Sequence, residues 1–213
     1  MLVVVTSDRG LCGSFNANII KLATQLTRKY ERAGKKVSYV CVGKKGNNAF
    51  KKTGKVLKAY TDVMANFQMY NAREIAQGLA ADFLSGEADE VHLVYSRFQS
   101  VAVQKPTTEL LLPAKPLAGE EAPKEAGGDY IYEPSTNEIM DVLLPLFLNV
   151  MVYHAMLEVG ASEHAARMSS MDNATSACKD IINNLTLIYN KARQSGITSE
   201  LMDIVGGAEA LKG

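Results

Sequence analysis

Residues 178–204 read "CKDIINNLTLIYNKARQSGITSELMDI", a stretch with no proline and a single glycine, Gly196. Working outward, little opposes a helix anywhere from Ser135 to Leu211: only Pro145, Gly160, Gly196 and the Gly206–Gly207 pair. Ser135 followed by Glu138 has the spacing of a capping box, which marks the helix start. A continuous helix over that span would be on the order of 110 Å long at 1.5 Å per residue, far beyond an ordinary domain helix. The chain therefore divides into residues 1–134 and residues 135–213.

The apolar spacing says what such a helix packs against. Ile139, Leu143, Leu146, Val150, Tyr153, Leu157, Gly160 and His164 alternate four and three residues apart. Met168, Met171, Thr175, Cys178, Ile182, Leu185, Tyr189 and Ala192 resume the alternation, and Ile197, Leu201, Ile204, Ala208 and Leu211 continue it. This is a coiled-coil seam with one-residue slips at His164/Met168 and Ala192/Ile197. Its small and polar positions require a closely approaching partner helix. The competing reading, a helix buried against its own α/β domain, is disfavoured because the run outreaches such a domain.

The first half reads as α/β. "LVVVT" runs into the turn-rich "SDRGLCGS", then Ile19, Leu22, Ala23, Leu26 and Tyr30 mark a helix that Gly34 stops. "KVSYVCVG" is a second strand, "KKGNNAFKKTG" a short basic helix or loop, and Met69–Leu84 a helix with Ile75, Leu79 and Phe83 on one face. "EVHLVYSRF" is a third strand, so strands and helices alternate as in parallel βαβ units. "TTELLLP" and "DYIYEP" read as short strands on either side of an exposed spacer, "AKPLAGEEAPKEAGG". The fold class is thus α/β, a parallel-sheet domain followed by a long C-terminal coiled-coil helix.

Composition narrows the function. A hydrophobic share of 47% and a charged share of 22% belong to a globular chain, and Lys+Arg balance Asp+Glu at 23 each. No global field draws the protein to nucleic acid. The apolar run around Val142–Val152, interrupted by Pro145 and Asn149, reads as too short for a membrane span. Leu2–Val5 lacks the basic leader and cleavage site of a signal peptide. Cys12, Cys41 and Cys178 are odd in number and widely spaced, which indicates free thiols in a reducing compartment.

Chemistry-bearing motifs are weak. "RGLCGSF" and "VGKKGNN" are glycine-containing loops after strands, but neither has the spacing of a dinucleotide fingerprint or a P-loop. "LCGSF" is similar to the "CGSC" of papain-type enzymes, yet Phe15 stands where the reactive cysteine belongs, and Cys12 reads as a small buried thiol. His92, His154 and His164 share no metal-ligand spacing, and no Ser-His-Asp order stands out. The expectation is an interaction or mechanical protein with no metal and no cofactor.

Four stretches, "VVVTSDRGLCGSFNANI", "ASEHAARMSSMDNAT", "LTLIYNKARQSGIT" and "ITSELMDIVGGAEAL", resemble the γ subunit of F-type ATP synthase, the central rotor shaft. The last matches the family signature through Ile197, Thr198, Glu200, Asp203, Gly207, Ala208 and Ala210. The resemblance implies a Rossmann-like domain between N- and C-terminal helices wound into an antiparallel coiled coil. It implies that the seam's partner is an N-terminal helix of the family, which would precede Met1. A chain lacking that helix is expected to self-associate through Met168, Met171, Cys178, Ile182, Leu185, Tyr189, Ile197, Leu201 and Ile204. Chloroplast relatives carry a cysteine-pair insert used as a thiol switch, and residues 114–128 hold no cysteine, so that control is expected to be absent.

The resemblance also implies a role without bond chemistry: a non-catalytic subunit turning inside a ring of α and β subunits and carrying torque to and from the membrane c-ring during proton-driven ATP synthesis. By family match, Arg193 and Gln194 would contact the β subunit, with Thr198 and Glu200 as secondary contacts. The α/β domain would form the stalk foot against the ε subunit and the c-ring. Lys44, Lys45, Lys51 and Lys52 mark either the ring-facing loop or solvated surface. The implied location is peripheral, on the cytoplasmic side of a bacterial plasma membrane or on an organellar inner membrane. The alternative from another class is an independent nucleotide-binding α/β protein with a helical oligomerisation arm.

Overall fold

The computed structural model describes residues 1–114, 135–211 and 213. The expected "DYIYEP" strand and nearly all of the 114–128 spacer lie outside the described residues. The elements are β1 (Leu2–Val5), α1 (Phe15–Arg32), β2 (Tyr39–Val42), α2 (Lys44–Phe50), a 3-10 turn (Lys51–Thr53), β3 (Val56–Tyr60), α3 (Met69–Leu84), β4 (Val91–Phe98), β5 (Gln104–Leu112) and α4 (Thr136–Ala210). Two compact units result, Met1–Ser169 and Ser170–Gly213.

In the first unit the sheet runs β3-β2-β1-β4-β5. The inner pairings are parallel, but β5 returns antiparallel to β4. The sheet is thus mixed, not wholly parallel. A short turn at Gln99–Val103 joins β4 directly to β5, and only an antiparallel neighbour can follow so short a link. Sequence reading also missed β3: its burial alternates weakly and its middle residues are exposed, as on an edge strand.

Register assigns the layers. Leu2 pairs with Tyr39 and with His92, and Val4 with Cys41 and Val94, so these residues share a sheet face. That face carries α1, whose Thr27 and Tyr30 reach Tyr39 and His92. The opposite face, with Val40 paired to Lys58, carries α3, whose Asp82 holds the Lys58 ammonium at 2.8 Å. Tyr95 lies on that same side and meets His154 of α4 edge-on.

The opening of α4 follows expectation: the Glu138 N–H donates to the Ser135 hydroxyl at 3.3 Å. The sequence boundary at 134/135 marks this helix start, yet the compact unit extends to Ser169 because the first part of α4 is built into the core. Leu148, Val152, Ala155, Met156 and Val159 are buried in one cluster with the sheet. They recur at three- and four-residue steps on the helix side nearly opposite Leu143, Leu146, Val150 and Leu157, which stay about half exposed. Two stripes therefore run along this segment where sequence reading recognised one, and burial against the chain's own domain coexists with the seam. Gly160 lets the helix come close: a Cβ there would stand 3.2 Å from the Phe67 ring.

By length and composition, α4 also contains a window apolar enough for a membrane span (mean hydropathy 1.7), contrary to the expectation from sequence, and 33% of that window is buried within the protein. Apolar stripes on two opposite faces raise mean hydropathy just as a lipid-facing helix does.

Candidate functional site

In parallel α/β sheets ligands bind beyond the carboxyl ends of the strands, with phosphates on helix N-termini. Here that region holds the turn Thr6–Gly13. The Asp8 carboxylate accepts three backbone N–H groups: Lys44, the first residue of α2, at 2.8 Å, Met64 at 2.9 Å and Asp62 at 3.1 Å. The Thr6 hydroxyl accepts the Gly46 N–H at 2.8 Å and donates to the Val42 carbonyl at 3.2 Å. Gly43 has φ +97 and sits so close that a Cβ would lie 2.1 Å from the Thr6 carbonyl oxygen. Asn16 accepts the Ser7 N–H and donates to the Cys12 sulfur at 3.1 Å.

The consequence is electrostatic. The α2 amides that would greet a phosphate are already taken, Lys44 by the Asp8 carboxylate, Lys45 by the Ser7 carbonyl and Gly46 by the Thr6 hydroxyl. A nucleotide phosphate placed there would lose its donors and meet a negative charge. Sequence reading found the glycines of this turn but missed Asp8, because its partners lie 36 to 56 residues away.

Arg167 of α4 closes the same turn, donating to the Gly10 carbonyl at 3.2 Å and to the Glu163 carboxylate at 2.5 Å. Among the basic-loop residues, Lys44 pairs with Asp62 at 2.5 Å, whereas Lys45, Lys51 and Lys52 are exposed. Among the described residues no cluster of His, Cys, Asp and Glu is arranged to hold a metal.

The second unit has a different character. Its helix exposes Met171, Cys178, Ile182, Leu185, Tyr189, Ile197, Leu201 and Ile204, the residues of the expected seam, and Met168 of the first unit is exposed as well. It also exposes Ile181, Ile188 and Met202, seven or fourteen residues apart on another side, and Leu187 and Val205 on a third. A helix apolar on several sides is one suited to surroundings other than water.

The four expected contact residues are all exposed but do not form one patch. Arg193 stands one turn from both Tyr189 and Ile197, and Glu200 seven residues on, so both share the seam side. Gln194 and Thr198 lie on the line of Leu187 and Val205, about a third of the circumference away. The Thr198 hydroxyl donates to the Gln194 carbonyl at 2.9 Å. Polar groups thus interrupt two apolar lines at one level of the helix.

Comparison with known proteins gives this arrangement a family. The family model described as ATP synthase matches residues 1–211. A protein named ATP synthase gamma chain from Desulfotalea psychrophila is 62% identical over 213 residues, spanning 99% of this chain and 73% of the relative. Its namesake from Maridesulfovibrio salexigens is 50% identical over 214 residues, spanning 100% of this chain and 73% of its own length. Among solved structures, the Euglena gracilis mitochondrial ATP synthase assembly of OSCP, F1 and c-ring contains a chain similar at TM-score 0.68 and 22% identity, covering 99% of this chain and 72% of that one. The Tetrahymena thermophila central stalk and c-ring structure contains one at TM-score 0.65 and 24% identity, covering 82% and 75%. At such identities the structural likeness concerns the fold.

Proposed function

This chain belongs to the ATP synthase γ-chain family, and from that premise we propose that it is the rotor subunit of the central stalk, passing torque between the membrane c-ring and the catalytic ring of α and β subunits. The observation that carries the role is the second unit's helix, apolar on several sides and fully exposed, with Arg193, Gln194, Thr198 and Glu200 set into it. Such a surface suits an axle: apolar sides slide within a sleeve of other subunits, and a few charged or amide groups grip the β subunit at defined angles. Arg193 supplies a charge-assisted donor fork and Gln194 a neutral amide. An asymmetric shaft at a given angle favours one state of each surrounding site over the others, which is a differential-binding effect and needs no bond chemistry in the shaft.

The α/β unit is the stalk foot in this reading, meeting the ε subunit and the c-ring, with Lys45, Lys51 and Lys52 as its ring-facing cations. The complex is membrane-bound, and the chain is peripheral to the membrane on the side of the catalytic ring. The seam of α4 takes a partner helix.

Rotation is the direct test. A bead attached through a cysteine placed at exposed Leu84, with Cys178 replaced by Ser, is expected to turn in one direction while the assembled complex hydrolyses ATP. A static bead on an active complex refutes the role. The second reading, a free-standing nucleotide-binding protein, predicts saturable ATP binding by the isolated chain, which the Asp8-filled turn opposes.

A further inference from the structure

Helix α1 carries a feature that the rotor reading leaves unused. Its buried side, Phe15, Ile19, Ala23 and Thr27, faces the sheet. Diametrically opposite, Lys21, Gln25, Arg28 and Arg32 follow one another at four-, three- and four-residue steps, with Lys29 beside them, and all are exposed. The only acid on the helix, Glu31, is taken by Lys55. Lys35, just past the helix end, is likewise taken by Glu90. Lys21, Arg28, Lys29 and Arg32 make no ion pair among the described residues. Gln25, Arg28, Lys29, Arg32 and Ala33 line a shallow hollow of about 530 Å³.

The helix C-terminus accounts for part of this charge, since Lys29 and Arg32 lie in the last turn and complement the dipole. It does not account for Lys21 or Arg28, nor for a helix that sets four unpaired cations against one acid, already paired, on a chain whose net charge is zero. The stripe also lacks the aromatic or aliphatic anchors that sit at the centre of protein–protein interfaces. A purely cationic, gently concave strip fits a diffuse anionic surface better than an acidic protein patch.

We propose that this face of α1 is a docking surface for anionic phospholipid headgroups, the hollow among Gln25, Arg28, Lys29 and Arg32 receiving a headgroup phosphate. The choice of lipid as the source of phosphate rests on the chain's place in a membrane-bound complex. The binding itself is read on the chain alone, so its failure leaves the rotor test untouched. Each basic residue near an anionic membrane contributes about 1 kcal/mol, roughly a fivefold factor in binding.

The test is flotation of the 213-residue chain with vesicles of phosphatidylcholine alone and with phosphatidylglycerol added. Binding is expected only with the anionic lipid, and is expected to collapse at high salt. Replacing Arg28, Lys29 and Arg32 by Gln is expected to weaken it about a hundredfold, whereas Arg73→Gln with Lys105→Gln, exposed cations elsewhere on the same unit, leaves it near the parent value. Apolar insertion by α4 would ignore both headgroup charge and salt, and such binding alone overturns the proposal. Equal loss from the Arg73 and Lys105 changes, or full retention by the α1 variant, overturns it too. Circular dichroism melting checks that the variant is folded. If the triple variant is not, Arg28→Gln and Arg32→Gln are read singly, each expected to lose about fivefold.

Discussion

The Asp8 carboxylate accepts the backbone N–H of Met64 at 2.9 Å across a separation of 56 residues, while also holding the Lys44 N–H at the start of α2. One side chain thus stitches the turns after β1, β2 and β3. Asp8→Ala leaves three donors to find water or remain unpaired. A loss of about 3 kcal/mol is expected, a fall of roughly 6–12 °C in melting temperature. Asp8→Asn, which keeps an acceptor oxygen, is expected to lose less. An unchanged Asp8→Ala melt would show the stitch to be ornamental.

Tyr95 is fully buried, and its hydroxyl interacts with the Glu109 carboxylate without a hydrogen bond of ordinary geometry. Burial first, and then the Glu109 carboxylate, push its phenol far above the ordinary tyrosine range. Because the folded-state value is raised, this tyrosine's contribution is intact below about pH 10 and is lost as pH rises past the unfolded value. Tyr95→Phe is expected to melt no lower than the parent at pH 7 and to lose less stability between pH 9 and 11. Some alkaline sensitivity stays, since Tyr39 and Tyr60 are shifted the same way, chiefly by burial. Parallel melts across that range decide the matter, and a markedly weaker Tyr95→Phe protein at pH 7 counts against it.

Arg193 interrupts the apolar line between Tyr189 and Ile197, where a purely structural helix would carry another aliphatic residue. In an assembled complex, Arg193→Ala is expected to lower proton pumping per ATP hydrolysed more than Lys191→Ala does. Membrane-vesicle acidification set against phosphate release measures that ratio. Equal ratios would take Arg193 out of the contact.

The thiols are ill-placed for regulation. Cys12 and Cys41 are buried, and Cys178 is exposed on the second unit. Burial pushes the Cys41 thiol up to about 11, so it stays protonated and unreactive near neutrality. ATP hydrolysis by the complex is expected to be indifferent to dithiothreitol. Reductant activation that disappears with Cys12→Ser would contradict this.

The exposed stripe of Ile182, Leu185, Tyr189, Ile197, Leu201 and Ile204 gives the separately expressed chain reason to pair. Burying such side chains is worth roughly 1.5–3 kcal/mol each, and a lone helix has little other support. Light scattering, in reductant to silence Cys178, is expected to show mass rising with concentration. A constant monomer mass with full helicity would mean that pairing does not occur.

The length and the capped start of α4 were legible because helical signals are local. Ser135, Glu138 and the three-four steps are read a few residues apart. Leu148, Val152 and Met156 were hidden in plain view, since a second stripe on a helix already explained by one adds no new period. β3 escaped because its exposed Leu57, Lys58 and Ala59 blur the alternation. Asp8 escaped for a deeper reason: a carboxylate whose partners are distant backbone amides leaves no pattern in sequence. Arg193, Gln194, Thr198 and Glu200 are proposed as contacts through family likeness alone, since periodicity by itself reads them as solvated surface.

The occupied turn at Asp8 also decides how the protein responds to its surroundings. A fold stabilised by a bound nucleotide gains strength in proportion to the logarithm of ligand concentration, and weakens when ligand runs down. Here the carboxylate is tethered, so its effective concentration is fixed by the chain and cannot be diluted. The stabilisation that this contact gives the α/β unit is therefore independent of the concentration of any free ligand.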